Sequence, residues 1–355
     1  MKDKKKVGMT GPFFSNHFCI VLVGLACLVS FLWPSAAPGQ SPGKVYTGRL
    51  SYHWYPQHHA AIYASKFAKM CEEATKGALK ITVYPSGELF SIAKILSAVS
   101  SGAVDLGGVL DLNFAAVDRN FEIGGLAFFF DSYPQQRDFW TQTPEGKGVW
   151  EGIQKKLGVV VLCHDPVGPS TFWSSKRSLE KIENFEGLKA RFLTNSEKPM
   201  WKALGTSFVA VSTSEVYSAL QSGMIDTLST VPSATKAYNW WDFLKYVQLP
   251  YGSYQDSHIV VNARWWNSLP REIRDIVLTQ VAPKISEDST KEVIIYSDAI
   301  IKEFVEKHGG TATRLVEKEL ERMVALQQKE AWPEVAKIMN PQVWEAALKF
   351  TKKKR

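Results

Sequence analysis

The sequence is poor in cysteine and lacks the short motifs that mark common enzyme active sites. Four cysteines occur among 355 residues, and Cys19 and Cys27 fall within an apolar segment near the N-terminus. Cys71 and Cys163 have no metal-type spacing, so we expect two buried free thiols, with a disulfide as the alternative. No Gly-x-Ser-x-Gly turn, phosphate-binding loop or His-Glu-x-x-His helix is present, and an enzyme is therefore not predicted.

The sequence also lacks a strong excess of charge. Its formal net charge is +7, of which residues 1–39 supply a net +3 through four lysines and one aspartate, which leaves +4 on the remainder. No basic stripe alternates with aromatic residues, so a nucleic-acid partner is not predicted. Residues 351–355 are predicted to form a solvated basic tail.

The N-terminus has the order of an export signal. The basic stretch Lys2–Lys6 precedes an apolar run, Phe18–Trp33, and then small residues and prolines as far as Pro38. This order predicts a secretory signal over residues 1–39 and places the rest of the protein in the periplasm. The run is slightly long for a cleaved signal, so an uncleaved membrane anchor is the alternative. After Gln40 no segment has the length to span a bilayer, and we expect a soluble exported protein.

Strand-like and helix-like segments alternate from Val45 onward, which predicts parallel-rich sheets covered by helices. The predicted strands are Tyr46–Trp54, Leu79–Tyr84, Val104–Leu110, Gly158–Cys163, Leu188–Phe192 and Met224–Ser229. The predicted helices are Ala60–Thr75, Ser91–Ser101, Ser212–Gly223, Arg271–His308 and Glu317–Lys349. Ser212 and Glu215 form a capping box, and Gly223 is a helix stop.

Two segments resemble each other, which indicates an internal repeat. Ser97–Asp105 and Ser218–Asp226 share about half their residues, and each consists of a helix end, a glycine stop and an entering strand closed by Asp. We therefore predict two similar α/β lobes with a ligand cleft between them. The long C-terminal helices are expected to brace both lobes.

Seven short motifs follow one another along the chain. They are Tyr84–Phe90 (YPSGELF), Gly102–Asp105 (GAVD), Leu126–Phe130 (LAFFF), Phe185–Arg191 (FEGLKAR), Lys202–Gly205 (KALG), Ser214–Asp226 (SEVYSALQSGMID) and Trp265–Pro270 (WWNSLP). With these motifs in this order, the sequence resembles the solute-binding subunits of TRAP (tripartite ATP-independent periplasmic) transporters of the DctP type. The resemblance runs from about Leu50 to about Phe350.

This resemblance implies a two-lobed periplasmic-binding-protein-like α/β fold that closes on a small organic acid. The lobes are predicted as residues 45–168 with 257–295 and residues 169–256 with 296–350. The resemblance further implies delivery to a membrane permease driven by an ion gradient, with no cofactor and a monomeric protein. The alternatives are a protein of the same fold that feeds a sensor or another assembly, and a secreted enzyme.

Arg191 is the residue that the resemblance assigns to the ligand carboxylate. A planar guanidinium pairs with a carboxylate through two hydrogen bonds and stays charged when partly buried. From the sequence alone, an arginine in an internal ion pair is the alternative.

The other candidate ligand-binding residues come from positions that match the family less closely. Some members of the family carry Asn, Arg and an aromatic residue where this sequence has Thr230, Thr171 and Thr213, respectively. These departures argue against a sialic acid ligand. The remaining candidates are His53, Trp54 and His58 in the loop after the first strand, Asp111 and Asn113 after the third, and Trp173. For Asp111 and Asn113 the alternative is a residue that caps a turn. His58 and His59 are not predicted to bind metal, because adjacent residues diverge on a helix and no carboxylate lies at ligand spacing. Trp240 and Trp241 are read as packing residues.

Overall fold

A computed structural model describes residues 44–353 as twelve strands and fourteen α-helices. The strands are β1 (Tyr46–Ser51), β2 (Leu79–Tyr84), β3 (Leu106–Leu110), β4 (Val159–His164), β5 (Gly168–Ser174), β6 (Lys189–Phe192), β7 (Ser207–Ala210), β8 (Thr227–Thr230), β9 (Tyr246–Leu249), β10 (Ser253–Gln255), β11 (Ser257–Asn262) and β12 (Thr311–Arg314). The predicted signal, residues 1–39, lies outside the described residues.

The helices cover both faces of the sheets. They are α1 (His59–Ala74), α2 (Ile95–Ser101), α3 (Asp111–Ala115), α4 (Tyr133–Gln142), α5 (Pro144–Leu157), α6 (Glu197–Ala203), α7 (Val216–Gln221), α8 (Pro232–Ala237), α9 (Ala263–Ser268), α10 (Arg271–Ile276), α11 (Ala282–His308), α12 (Glu317–Leu326), α13 (Trp332–Ala336) and α14 (Pro341–Lys353). A π-type turn, Val277–Val281, joins α10 to α11, so the predicted helix Arg271–His308 is continuous. Over residues 44–353 no helix has the length and apolar character to cross a membrane.

Two sheets of matching topology form the centre of the fold. The first has the order β2-β1-β3-β11-β4 and the second the order β7-β6-β8-β5-β9-β12, with β10 paired to β5. In each sheet the first three strands run parallel, and the fourth is antiparallel to both of its neighbours. This symmetry confirms the prediction of an α/β fold with two similar halves.

The repeat seen in the sequence corresponds to one recurring structural feature. Gly102 and Gly223 end their helices with φ angles of 82° and 66°, which is the left-handed conformation that suits glycine. The carboxylates of Asp105 and Asp226 then accept hydrogen bonds from the backbone N–H of the neighbouring strand, from Arg49 at 2.9 Å and Lys189 at 3.1 Å. The prediction that Asp closes each strand is wrong, because β3 and β8 begin after it.

The chain passes between the halves more than once. The segment between β4 and β5 and the segment between β10 and β11 both join the two sheets. Helix α11 contacts α1 and β4 of the first half and β5, α8 and β12 of the second, and so spans both. The last helix, α14, packs against α4 and α5 beside the first sheet. The predicted residue boundaries of the lobes remain a prediction.

Apolar side chains fill the space between sheets and helices. The face of α1 that packs inward carries Ala61, Ala64, Phe67 and Cys71, all buried, as their helical spacing predicts. Cys71 and Cys163 are both free and buried. Burial raises the pKa of the Cys71 thiol to about 12, which keeps it protonated and unreactive near neutral pH.

Candidate functional site

The carboxyl ends of the parallel strands of both sheets surround one cavity. In α/β proteins this edge of a sheet is where ligands bind. Together with the solvent space at its mouth, the cavity contains about 420 Å³ that no atom fills, and we call it the Arg191 cavity. Its lining residues are His53, Trp54, His58, Ile92, Leu110, Val167, Arg191, Leu193, Thr213, Thr230, Val231, Ala234, Tyr238, Trp240 and Gln255.

Arg191 lies in β6 with its side chain in the wall of this cavity, and only 2 % of the residue is exposed. Its Nε donates to the backbone oxygen of Val211 at 3.0 Å, and Nη2 donates to the Thr213 hydroxyl at 3.4 Å. A guanidinium has five N–H donors, so the hydrogen bonds described here leave three of them for another partner. Within residues 44–353 no carboxylate forms an ion pair with it at 4.0 Å or less.

Glu197, at the start of α6, is the acid whose charge acts on Arg191. Its carboxylate accepts from the backbone N–H of Leu193 at 3.1 Å and from the Thr194 hydroxyl at 3.4 Å. Burial raises the pKa of Glu197, an effect that the nearby guanidinium opposes. The pKa of Arg191 is lowered by burial, although Glu197 acts in the other direction. The guanidinium is thus a buried cation without an acid in contact.

Two polar atoms in the cavity wall are buried and have no hydrogen-bond partner. They are Nδ1 of His53 and Nε1 of Trp240. A buried polar atom without a partner costs about 1–3 kcal/mol, and a bound solute with suitable polar groups would remove that cost. Burial lowers the pKa of His53 to about 3, so its imidazole is neutral near pH 7. Tyr238 stacks on Trp240 with ring centroids 5.2 Å apart and extends this aromatic wall.

His58 lines the cavity and is also the N-cap residue of α1. Its Nδ1 accepts the N–H of Ala60 at 3.2 Å, which caps the helix. Since Nδ1 is an acceptor, the ring hydrogen of this neutral imidazole is on Nε2, which lies 3.0 Å from the Ser233 hydroxyl. Both ring nitrogens are therefore used within the protein, and the ring contributes a surface to the cavity.

Four of the predicted binding residues lie outside the Arg191 cavity, and three of them, Asn113, Thr171 and Trp173, have polar groups that bond within the protein. The Asn113 side chain accepts from the backbone N–H of Leu110 at 3.1 Å and donates to the backbone oxygen of Ile92 at 2.8 Å. Thr171 donates to the backbone oxygen of Gln248. The indole of Trp173 donates to the backbone oxygen of Thr230 at 3.2 Å and is fully buried. These side chains support the walls from behind.

Asp111 lines a neighbouring cavity, which holds about 520 Å³ of empty space and shares Leu110, Leu193 and Gln255 with the first. We call it the acidic cavity, because four carboxylates line it: Asp111, Glu122, Glu197 and Asp256. Asp111 pairs with His258 at 2.8 Å, and Glu122 pairs with Arg119 at 2.9 Å.

The structure thus brings six of the ten predicted residues into one cavity: His53, Trp54, His58, Arg191, Thr213 and Thr230. Sequence analysis missed Tyr238 and Gln255 and assigned Trp240 to packing. A signal for Tyr238 and Trp240 was available, because they follow the helix that begins directly after β8. Gln255 is the last residue of a three-residue strand that has no recognisable pattern.

Comparisons with known proteins agree with this architecture. Residues 50–338 match the model of the bacterial extracellular solute-binding proteins of family 7, DctP. The C4-dicarboxylate-binding periplasmic protein DctP of Rhodobacter capsulatus is 27% identical over 275 residues, which are 77% of this chain and 78% of that protein.

Two solved structures share the fold. DctP7 of Bordetella pertussis, an extracytoplasmic solute receptor that binds pyroglutamic acid, superposes with a TM-score of 0.78 at 21% identity and covers 87% of this chain and 100% of its own. The sugar acid binding protein DctPAm of Advenella mimigardefordensis, in complex with galactonate, gives a TM-score of 0.79 at 18% identity, with 88% of this chain and 99% of its own covered. With the family match over most of its length, this chain belongs to the DctP family of extracellular solute-binding proteins, whose members are receptors and not enzymes.

Proposed function

We propose that this protein captures a monocarboxylate in the Arg191 cavity and delivers it to the membrane subunits of a TRAP transporter. The observation that carries the proposal is the buried guanidinium of Arg191, which retains hydrogen-bond donors and has no acid in contact. Such a group binds a carboxylate strongly because the anion supplies the missing charge and two aligned acceptors.

The charge of the lining supports a single carboxylate. Arg191 is the one charged side chain among the lining residues of its cavity, and burial lowers the pKa values of His53 and His58 so that both are neutral. A second carboxylate would have no cation to pair with there and would lie beside the acidic cavity. Relatives bind acids of both kinds: the Rhodobacter protein is named for C4-dicarboxylates, whereas pyroglutamate and galactonate each carry one carboxylate.

The family match and the predicted export signal over residues 1–39 support delivery outside the cytoplasm. We propose that the two sheets with their helices are lobes that close over the solute, with α11 bracing both. A closed cavity would exclude water and strengthen the contact between guanidinium and carboxylate.

Calorimetry with substituted proteins tests the proposal. A thermal-shift screen of monocarboxylates and dicarboxylates, with pyroglutamate, galactonate and succinate among them, first identifies a ligand that raises the melting temperature. We expect Arg191→Met to weaken its binding by about 2 to 5 kcal/mol, because a buried charge pair loses one partner. Arg191→Lys should restore part of the loss, since it keeps the charge without the planar fork.

The matched control is Arg271→Met, because the Arg271 side chain is 87% exposed and pairs only with its helical neighbour Asp275. Unchanged affinity in Arg191→Met would reject the role of Arg191. A screen in which only dicarboxylates stabilise the protein would reject the monocarboxylate class.

A further inference from the structure

We propose that His164, Asp256 and His258 form a binding site for a divalent transition-metal ion of the zinc type, separate from the Arg191 cavity. One potential ligand atom from each residue lies within 4.8 Å of the others. Two imidazoles and one carboxylate are a donor set that zinc favours, with a fourth position left for water. A tetrahedral ion would hold its ligand atoms roughly 3.4 Å apart. Ligand atoms that now lie as much as 4.8 Å apart would therefore need to approach each other by about 1.4 Å at most.

Neighbouring strands hold these three residues together. His164 ends β4, and His258 lies directly opposite it in β11. The two rings meet edge to face, with centroids 4.8 Å apart. Asp256 immediately precedes β11, and its Oδ2 lies 2.8 Å from Nδ1 of His164. Strand pairing therefore fixes the two histidines relative to each other, and Asp256 adjoins the strand that carries His258.

His258 already has the surroundings of a metal-bound histidine. Its Nε2 hydrogen-bonds to the carboxylate of Asp111 at 2.8 Å, an arrangement in which a carboxylate orients a ligating imidazole. Its Nδ1 is buried and has no hydrogen-bond partner, and the residue is 1 % exposed. With Nε2 committed to Asp111, Nδ1 is the nitrogen left for a metal, and coordination would satisfy this atom.

A path for the ion also exists. A surface cavity, lined in part by the exposed Lys147 and Glu151, extends inward as far as His164 and His258. Water could reach the fourth coordination position by the same route. For His164 Nδ1 and Asp256 both to bind the ion, the neutral His164 imidazole would carry its hydrogen on Nε2 and present Nδ1 as the ligand atom.

The position of the site indicates what the metal would do. Asp256 lies between β10 of the second sheet and β11 of the first, where the chain passes from one half to the other. An ion bound to Asp256, His164 and His258 would tie this crossing segment to β4. It would stabilise the folded protein by binding it in preference to the unfolded chain.

Cobalt and zinc titrations test the proposal on the purified full-length chain after treatment with a chelator. We expect one equivalent of Co²⁺ to produce the intense visible absorption of four-coordinate cobalt, and Zn²⁺ to abolish it. His164→Gln and Asp256→Asn should each weaken binding at least tenfold, and Asp111→Asn, which removes an orienting carboxylate, by about 10- to 100-fold. The control is His308→Gln, an exposed histidine of α11, which should leave the titration unchanged.

Absence of cobalt absorption and of zinc binding in the unsubstituted protein would overturn the proposal, whatever the variants do. Equal affinity in His164→Gln and in the unsubstituted protein would also overturn it. A near-ultraviolet circular dichroism spectrum of each metal-free variant separates loss of ligand atoms from loss of fold. Carboxylate binding is measured separately on metal-free protein, so failure of this site and failure of the Arg191 cavity are distinguishable.

Discussion

Burial keeps the histidines of the loop after β1 uncharged. The pKa of His59 is lowered by burial from 6.5 to about 4, and that of His58 lies well below its usual value for the same reason. One ring nitrogen of His59 lies 3.0 Å from the backbone oxygen of Pro166, and the other is buried without a partner. Neutral histidines here leave Arg191 as the dominant charge beside the solute.

His59 makes the stability of the fold depend on pH. Below pH 6.5 the unfolded chain binds a proton at this residue, but the folded chain does so only near pH 4. Its contribution to stability is therefore present above pH 6.5 and is lost as the pH falls toward 4. We expect His59→Gln to reduce the loss of unfolding free energy between pH 6.5 and 5 by about 2 kcal/mol.

Urea unfolding at several pH values measures this difference directly. Other buried groups, such as Asp165 and Tyr52, contribute equally to both proteins and cancel in the comparison. Parallel pH profiles for the two proteins would contradict the assignment.

Individual residues show how much of the site the sequence predicts. Arg191 was identified because it lies in a contiguous motif, Phe185–Arg191, whose last three residues are in β6. Asp111, in contrast, was expected at the cleft beside a ligand, but its carboxylate meets His258, which is 147 residues away. Local sequence patterns do not reveal such partners, and the same holds for the proposed metal site.

At the scale of elements, β3 shows how tightly the first sheet is packed. Gly107 and Gly108 lie at its centre, and successive residues of a strand face opposite sides. A methyl group on Gly107 would press on Val99 and Ile95 of α2, and one on Gly108 would overlap the Tyr52 ring. These glycines allow α2 and Tyr52 to approach the strand closely from its two sides.

We expect Gly108→Ala to lower the free energy of unfolding by about 1–3 kcal/mol, because the ring of Tyr52 has to move and its hydrogen bond to Asp165, 2.6 Å long, is disturbed. The control is Gly148→Ala in α5, where a methyl group would meet no atom within 4 Å. That substitution should stabilise the protein by about 0.5–1 kcal/mol, since alanine favours a helix. Denaturant titrations of both variants test the pair, and equal stabilities would refute the packing argument.

Elements whose own residues carry a recognisable pattern were predicted from the sequence. Elements that form through packing or pairing with other strands were not. The capping box of Ser212 and Glu215 is present, although the first turn there is a 3-10 turn. Strand β5 was missed because its residues are buried on both faces, so it shows no alternation, and because it begins with Gly-Pro. Strand β7 is exposed at all four residues and forms by pairing with β6, which is information that its own sequence does not contain.

The whole molecule consists of two α/β halves that the chain joins at several points. It crosses between the sheets at the segments before β5 and before β11 and again along α11, which contacts elements of both halves. Two halves with a cavity at their strand ends suit hinge closure about a solute, and we expect such closure here.

Small-angle X-ray scattering tests closure. Saturation with the ligand found by screening should reduce the radius of gyration, because closing the halves makes the molecule more compact. Arg191→Met at the same ligand concentration should keep the larger radius, because it does not bind. An unchanged radius in the unsubstituted protein at saturation would count against closure.

The unpaired charge of Arg191 also bears on how the receptor would release its solute. Removing a cation from water is costly, and within residues 44–353 no acid pairs with this one. A solute anion and a few water molecules therefore compete for the same guanidinium. If the protein acts as proposed, we expect that admitting water to this guanidinium weakens its hold on the anion and favours release of the solute.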